Sequence, residues 1–267
     1  MAEQELRRFS GSAPENYERY FVPNIGKPVA DELIARAALR PGERVLDVAC
    51  GTGVITRMAK ERVGSGTVTG LDVTPGMLEV ARSVTPPDMG ITWHEANAES
   101  MPFPDASFDV VFCGLSLQLM PNKVTALREM KRTLVPGGRL LLSTPGRMPA
   151  PFAVIEGALG HHIGPATSGF VNAVFSLHDP TQMETLMSEA GLAQIRVEPL
   201  SKRLRMPAPR EFLWQYIQST PLAQAVMSAD ASKRDAMERQ VVEGLGPFVD
   251  QGQVIYDQGI LIGSARK

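Results

Sequence analysis

The stretch VLDVACGTGVITRMA, residues 45–59, puts a carboxylate, two glycines and a threonine where an apolar run turns into a helical one. Asp47 stands four residues before Gly51, and Gly53 follows two later. A dinucleotide fingerprint, G-x-G-x-x-G, would place a third glycine at position 56, where this chain has Thr56. Gly51 and Gly53 let the backbone turn tightly and approach a ligand. A helix starting near Gly53 offers free N–H groups and a partial positive charge, which suit a carboxylate or a phosphate. Asp47 repels a pyrophosphate and favours a ligand that also carries a cation. Asp72 lies 19 residues beyond Gly53, where an acidic side chain can accept two hydrogen bonds from a ribose diol. A ribose, an anion and a positive group are thus expected together. S-adenosylmethionine carries all three; NAD lacks the ammonium.

These residues need a sheet to hold them, and the chain alternates accordingly. Apolar runs at 44–49, 67–73, 91–97, 108–114 and 139–144 read as strands, and helical spacing marks 28–40, 53–63, 74–82 and 123–134. Pro136-Gly137-Gly138 reads as the stop of the last of these helices. Near-continuous apolar strands alternating with helices predict a parallel sheet covered on both faces. Beyond Pro145, residues 146–178 read as an insertion rather than as sheet. A helix capped by Asp179 follows over 179–191, then a sixth strand at 194–206, an irregular helical region at 209–246 and a final strand at 253–267. The final strand is expected to pair antiparallel with the sixth, because no parallel crossover needs so long an irregular connection. The fold class is therefore α/β: a Rossmann-like, seven-stranded, mostly parallel sheet with an antiparallel last strand, an N-terminal lid and helical cap insertions. Residues 1–41 are expected to form the lid, and 42–267 the main domain with caps at about 146–178 and 209–248.

The chain has 267 residues and a formal charge of −2, so no positive field draws it to nucleic acid or acidic lipid. Cys50 and Cys113 are too few for a disulfide framework, and no C-x-x-C pair suggests a metal site. No signal-peptide core and no long apolar run are present, so a cytoplasmic location is expected. Both cysteines read as packing residues, and Lys202, Arg203 and Arg205 as a solvated strand edge.

The segments VLDVACGTGVIT, GLDVTPGMLEVAR, EANAESMPFPDASFDVV and ALREMKRTLVPGGRLLLST closely resemble successive motifs of class I S-adenosylmethionine-dependent methyltransferases, the UbiE/type 11 branch in particular. The resemblance covers about residues 42–145. It implies that Asp47, Ala49, Cys50, Gly51 and Gly53 surround the methionine part of the cofactor. It assigns Asp72 to the ribose, Val73 and Met77 to the adenine, and the triplet Asn97-Ala98-Glu99 to the adenine edge, with Asn97 standing where the family usually has Asp. Cys113 and Gly114 fall next to the methyl-bearing sulfur, and Gln118 replaces a His of many relatives. Tyr20 belongs to an N-terminal segment that often folds over the cofactor. S-adenosylhomocysteine is the implied product.

Methyl transfer from a sulfonium is an in-line displacement, and the protein's part is to position the acceptor and exclude water. The acceptor pocket is expected from three segments: ENYERYFVP with Tyr17, Tyr20 and Phe21, the 146–178 insertion, and the 209–248 region. His161 and His162 are the foremost base candidates, with Tyr17 and Gln118 behind them; His94 and His178 read as structural. The expected partner is a small, fairly apolar methyl acceptor, phenolic, quinonoid or polyketide-like. The oligomeric state is left open, a homodimer included. A cofactor-binding regulator without turnover and, lower, an NAD-dependent oxidoreductase are the alternatives.

Overall fold

The computed structural model describes Phe9 and residues 11–267. Met1–Arg8 and Ser10, part of the expected lid and of the stretch read for a signal peptide, lie outside the described residues. The sheet takes β1 Val45–Val48, β2 Val68–Asp72, β3 Thr92–Glu95, β4 Phe108–Gly114, β5 Leu134–Pro145, β6 Ala193–Met206, β7 Val249–Asp250 and β8 Gln253–Arg266. Seven strands run in the order β3-β2-β1-β4-β5-β8-β6, and the two-residue β7 pairs with β8 as an eighth. The first five pair in parallel, whereas β8 is antiparallel to both β5 and β6, inserted between them. The mostly parallel sheet and antiparallel last strand match the expectation; the short β7 adds to it.

Strand β5 begins earlier than expected. Pro136-Gly137-Gly138 lies inside it rather than closing a helix. The pairing explains this: Leu134 opposes Phe108, the register then shifts, and Arg139 opposes Val110. The proline and glycines occupy that irregularity, where a missing N–H and a positive φ at Gly137 are tolerated.

On one face of the sheet pack α1 Lys27–Ala37 and α2 Val54–Val63. The other carries α3 Lys123–Thr133 and α4 Pro180–Glu189, each capped at its N-terminus by an Asn122 or Asp179 side chain. A third cluster forms beyond the carboxyl ends of the strands. Its helices are α5 Ala150–His162, α6 Pro165–Val174, α7 Pro209–Gln218, α8 Leu222–Ser228 and α9 Ala231–Leu245. The 146–178 segment is thus helical, around Phe152, Ile155, Ala158 and Leu159. Before α1, Ala13–Asn16 is α-helical and Tyr17–Gly26 a π-helical stretch containing Pro23. Among the described residues, no helix is long and apolar enough to cross a membrane.

Candidate active site

Parallel strands leave their ligand crevice at the carboxyl ends, where neighbouring strands diverge. Here the ends of β1 and β4, adjacent in the sheet, flank a cleft with about 410 Å³ of empty space, its open mouth included. Asp47, Ala49, Gly51, Thr52 and Ile55 line it from the first loop, Gly114 and Leu115 from the end of β4, and Tyr17, Gly26 and Val29 from the N-terminal segment.

The loop is held by fixed geometry. Gly51 and Gly53 have φ of +55° and +86°, a region that costs residues with a Cβ. At Gly53 a Cβ would stand 2.4 Å from the Trp93 ring, so the loop rests directly on that indole. Ala49 and Leu115 adopt φ of +54° and +50° without glycine's freedom, one on each side of the cleft. Non-glycine residues in this region persist only where surrounding structure imposes them, and such strain clusters at ligand sites.

Asp47 is buried, and one carboxylate oxygen accepts a 2.6 Å hydrogen bond from the Thr56 hydroxyl. The other, Oδ1, is buried without a partner. Burial pushes the acid's pKa up to about 7, the Thr56 bond opposing that rise and the Asp72 charge adding to it. Thr56 thus fills the place of the fingerprint's third glycine with a hydroxyl that orients Asp47. That role went unread in the sequence, where the threonine was only a missing glycine. The buried Thr52 hydroxyl, also on the cleft, has no partner either.

Asp72 ends β2 with both oxygens engaged by the surrounding backbone: Gly51 N–H donates to one at 2.8 Å and Thr74 N–H to the other at 2.9 Å. Its carboxyl is held above the usual range, because burial outweighs those bonds. Each oxygen keeps a second lone pair. Next to it Val73 is exposed and Met77 buried. Asn97 is exposed, and its side-chain oxygen accepts from Glu99 N–H at 2.9 Å; Glu99 accepts in turn from Asn122 N–H, and Ala98 is buried between them. Cys113 and Cys50 are buried free thiols, both pushed up first by burial and then by the Asp47 and Asp72 charges, so neither presents a thiolate.

Of the N-terminal aromatics it is Tyr17 that lines the cleft, stacked on Phe21 with ring centroids 4.5 Å apart. Tyr20 does not line it; Arg19 lies over its ring. Arg57 ties this segment to the loop, donating to Glu18 at 2.8 Å and to the Thr52 carbonyl at 2.6 Å. Gln118 is buried; its amide donates to the Leu115 carbonyl at 2.8 Å and its oxygen is unpartnered. His161 and His162 close α5 away from the cleft lining, and His162 meets Gln240 at 2.7 Å. His178 contacts the Phe175 carbonyl, and His94 packs edge-on against Phe103. Lys202 pairs with Glu32, and Arg203 with Asp257.

Part of this chain resembles known proteins. Residues 46–142 match a family model described as a methyltransferase domain. Over those residues the chain is similar to methyltransferases. The ubiquinone/menaquinone biosynthesis C-methyltransferase UbiE of Stenotrophomonas maltophilia is 44% identical over 110 residues, 40% of this chain and 44% of that protein. The demethylmenaquinone methyltransferase of Symbiobacterium thermophilum is 40% identical over 146 residues, 52% of this chain and 58% of that one. The chain therefore spans about half the length of these curated relatives. A Haemonchus contortus phosphoethanolamine N-methyltransferase 2, solved with phosphomonomethylethanolamine and S-adenosylhomocysteine, superposes with a TM-score of 0.60 at 19% identity, over 95% of this chain and 56% of that one. At that identity the likeness shows the fold. The site's chemistry fits S-adenosylmethionine, the cofactor its sequence motifs imply. An orphaned carboxylate oxygen suits an ammonium, a spare lone pair on each Asp72 oxygen suits a diol, and the glycine turn leaves room for close approach.

Proposed function

We propose that the protein transfers a methyl group from S-adenosylmethionine to a small quinonoid or phenolic acceptor, on carbon for the quinonoid class. The unpartnered, buried Asp47 Oδ1 on the cleft carries this reading. A buried acceptor without a partner is costly, and the ammonium of the cofactor's methionine end supplies one. In this reading Asp47 holds that ammonium and Asp72 the ribose. Met77 and Asn97 border the adenine, and Gly114 and Leu115 stand where the methyl leaves. The names of the curated relatives favour quinones among the acceptors, and the apolar cap cluster suits an apolar ring.

When bound, the cofactor supplies an activated methyl on a sulfonium. Transfer would form the methyl–acceptor bond as the S–CH₃ pair returns to sulfur, the proton of the acceptor passing to solvent. The protein's residues position and enclose. Tyr17 lines the cleft, and the Glu18–Arg57 pair holds the N-terminal segment against the loop. Burial holds the Tyr17 phenol neutral at physiological pH, so it acts as a wall and hydrogen-bond donor rather than a base. A quinol or phenol needs only a weak base, since its own ionisation activates the ring.

Calorimetric titration with S-adenosylhomocysteine, with NADH as comparator, tests the pocket. Micromolar binding of the first alone, lost in a folded Asp72→Ala variant, is expected; equal binding by that variant would remove Asp72 from the site.

A further inference from the structure

Tyr216 on α7 and Tyr256 on β8 are buried, and neither hydroxyl has a hydrogen-bond partner. Their surroundings are apolar. Phe152 packs edge-on against both rings, at 5.1 and 5.7 Å between centroids, and Phe212 lies against Tyr256 at 6.3 Å. The two phenols are close enough for charge on Tyr216 to oppose ionisation of Tyr256, and burial raises both, so each stays a neutral O–H donor. Two orphaned donors in one apolar cluster are rare in folded proteins and point to a group that is absent from the chain itself.

Their place in the fold says which group. Strand β5 ends at Pro145, opposite Ile260 of β8, and β8 carries Tyr256 beyond that end, on the side where the cleft lies. The cluster around the two phenols reaches the cleft at three points. Leu115 lines the cleft and packs on the cluster; Phe21 of the cluster stacks on Tyr17; Ile25 of the cluster precedes Gly26, which lines the cleft.

We propose that Tyr216 and Tyr256 are the polar anchor of the acceptor site, donating hydrogen bonds to an oxygen on the ring of an aromatic acceptor seated among the cap helices. They are positioning and specificity residues, and the inference rests on the methyl-transfer reading above. Two unpartnered donors in an apolar surround select a ring bearing a carbonyl or phenolate and reject the bare hydrocarbon, because a bound ring without oxygen leaves both hydroxyls unpaired.

The test is calorimetric titration of the protein, saturated with S-adenosylhomocysteine, with 1,4-naphthoquinone, repeated for Tyr216→Phe and Tyr256→Phe and with naphthalene as the oxygen-free probe. The expected result is binding by the wild type, about tenfold or more weaker for each variant, with naphthalene as weak as the variants. S-adenosylhomocysteine affinity is expected to stay unchanged. Melting temperature is expected not to fall, since each substitution deletes an orphaned hydroxyl and keeps the ring. Equal quinone affinity in wild type and variants, or no quinone binding by the wild type, overturns the proposal. Loss of S-adenosylhomocysteine binding by the wild type would instead overturn the cofactor reading, so the two failures are distinguishable.

Discussion

If Asp47 meets the cofactor's ammonium, cofactor binding must be coupled to a proton. In the unliganded chain the buried Asp47 holds its proton up to a pH of about 7. The ammonium needs the carboxylate, so binding drives that proton off. Affinity should therefore fall about tenfold per pH unit below 7 and level off above it. Between about pH 8 and pH 5.5 the expected loss is about 30-fold, or about 2 kcal/mol. The assay is calorimetric titration with S-adenosylhomocysteine in buffers of different ionisation enthalpy, which counts the protons released. Near pH 6 the count should approach one; at pH 8 it should approach zero. Asp47→Asn should bind more weakly at pH 8, by about tenfold or more for loss of a charge-assisted bond, and its affinity should be flat across the range. A wild-type affinity independent of pH in folded protein would refute the coupling. A slope that persists in Asp47→Asn would assign the titration elsewhere, with Asp72 the next carboxylate to test.

The same acid acts on folding with the opposite sense. Its folded pKa is raised above the ordinary carboxylate value, so between about pH 4 and pH 7 the folded state binds the extra proton. The contribution of Asp47 to stability should decline as pH rises through that window, seen in denaturant titrations of wild type against Asp47→Asn. Thr56→Val removes the bond that opposes the rise, and should move the midpoint of the pH-affinity profile upward while the chain stays folded. Gly53→Ala must fit a Cβ against Trp93 at a positive φ. It should cost about 1–3 kcal/mol in denaturant unfolding and shift Trp93 fluorescence. Glu18→Gln weakens the tie to Arg57, and should speed limited proteolysis of the N-terminal segment without lowering the global melting temperature by more than a few degrees.

Much of the sheet was legible because parallel strands buried on both faces are written as apolar runs. Strand β4 falls on the predicted 108–114, and Asp47, Gly51, Gly53 and Asp72 stand together around one loop as their spacing suggested. Proline and glycine misled at 136–138, because a shift in strand register absorbs residues that ordinarily end an element. The helical cap expected at 146–178 is present, but the bounds of its helices were hidden: α5 contains Gly157 and Gly160, starts beside Pro149 and Pro151, and is buried by a neighbouring helical layer rather than along one stripe. Side-chain partners were the least legible. Nothing in local spacing distinguishes Tyr17 from Tyr20 as the residue on the cleft, or marks Tyr216 and Tyr256, about forty residues apart, as neighbours. His161 and His162 have the right chemistry for a base, but both close α5 away from the cleft lining, and His162 meets Gln240 there.

Methyl transfer is tested most directly by mass spectrometry of 1,4-naphthoquinol incubated with the protein and S-adenosylmethionine bearing a deuterated methyl. The expected product carries one intact deuterated methyl on ring carbon, forms one-for-one with S-adenosylhomocysteine and is abolished by Asp72→Ala. Tight S-adenosylhomocysteine binding with no labelled product from this or any phenolic acceptor would contradict it.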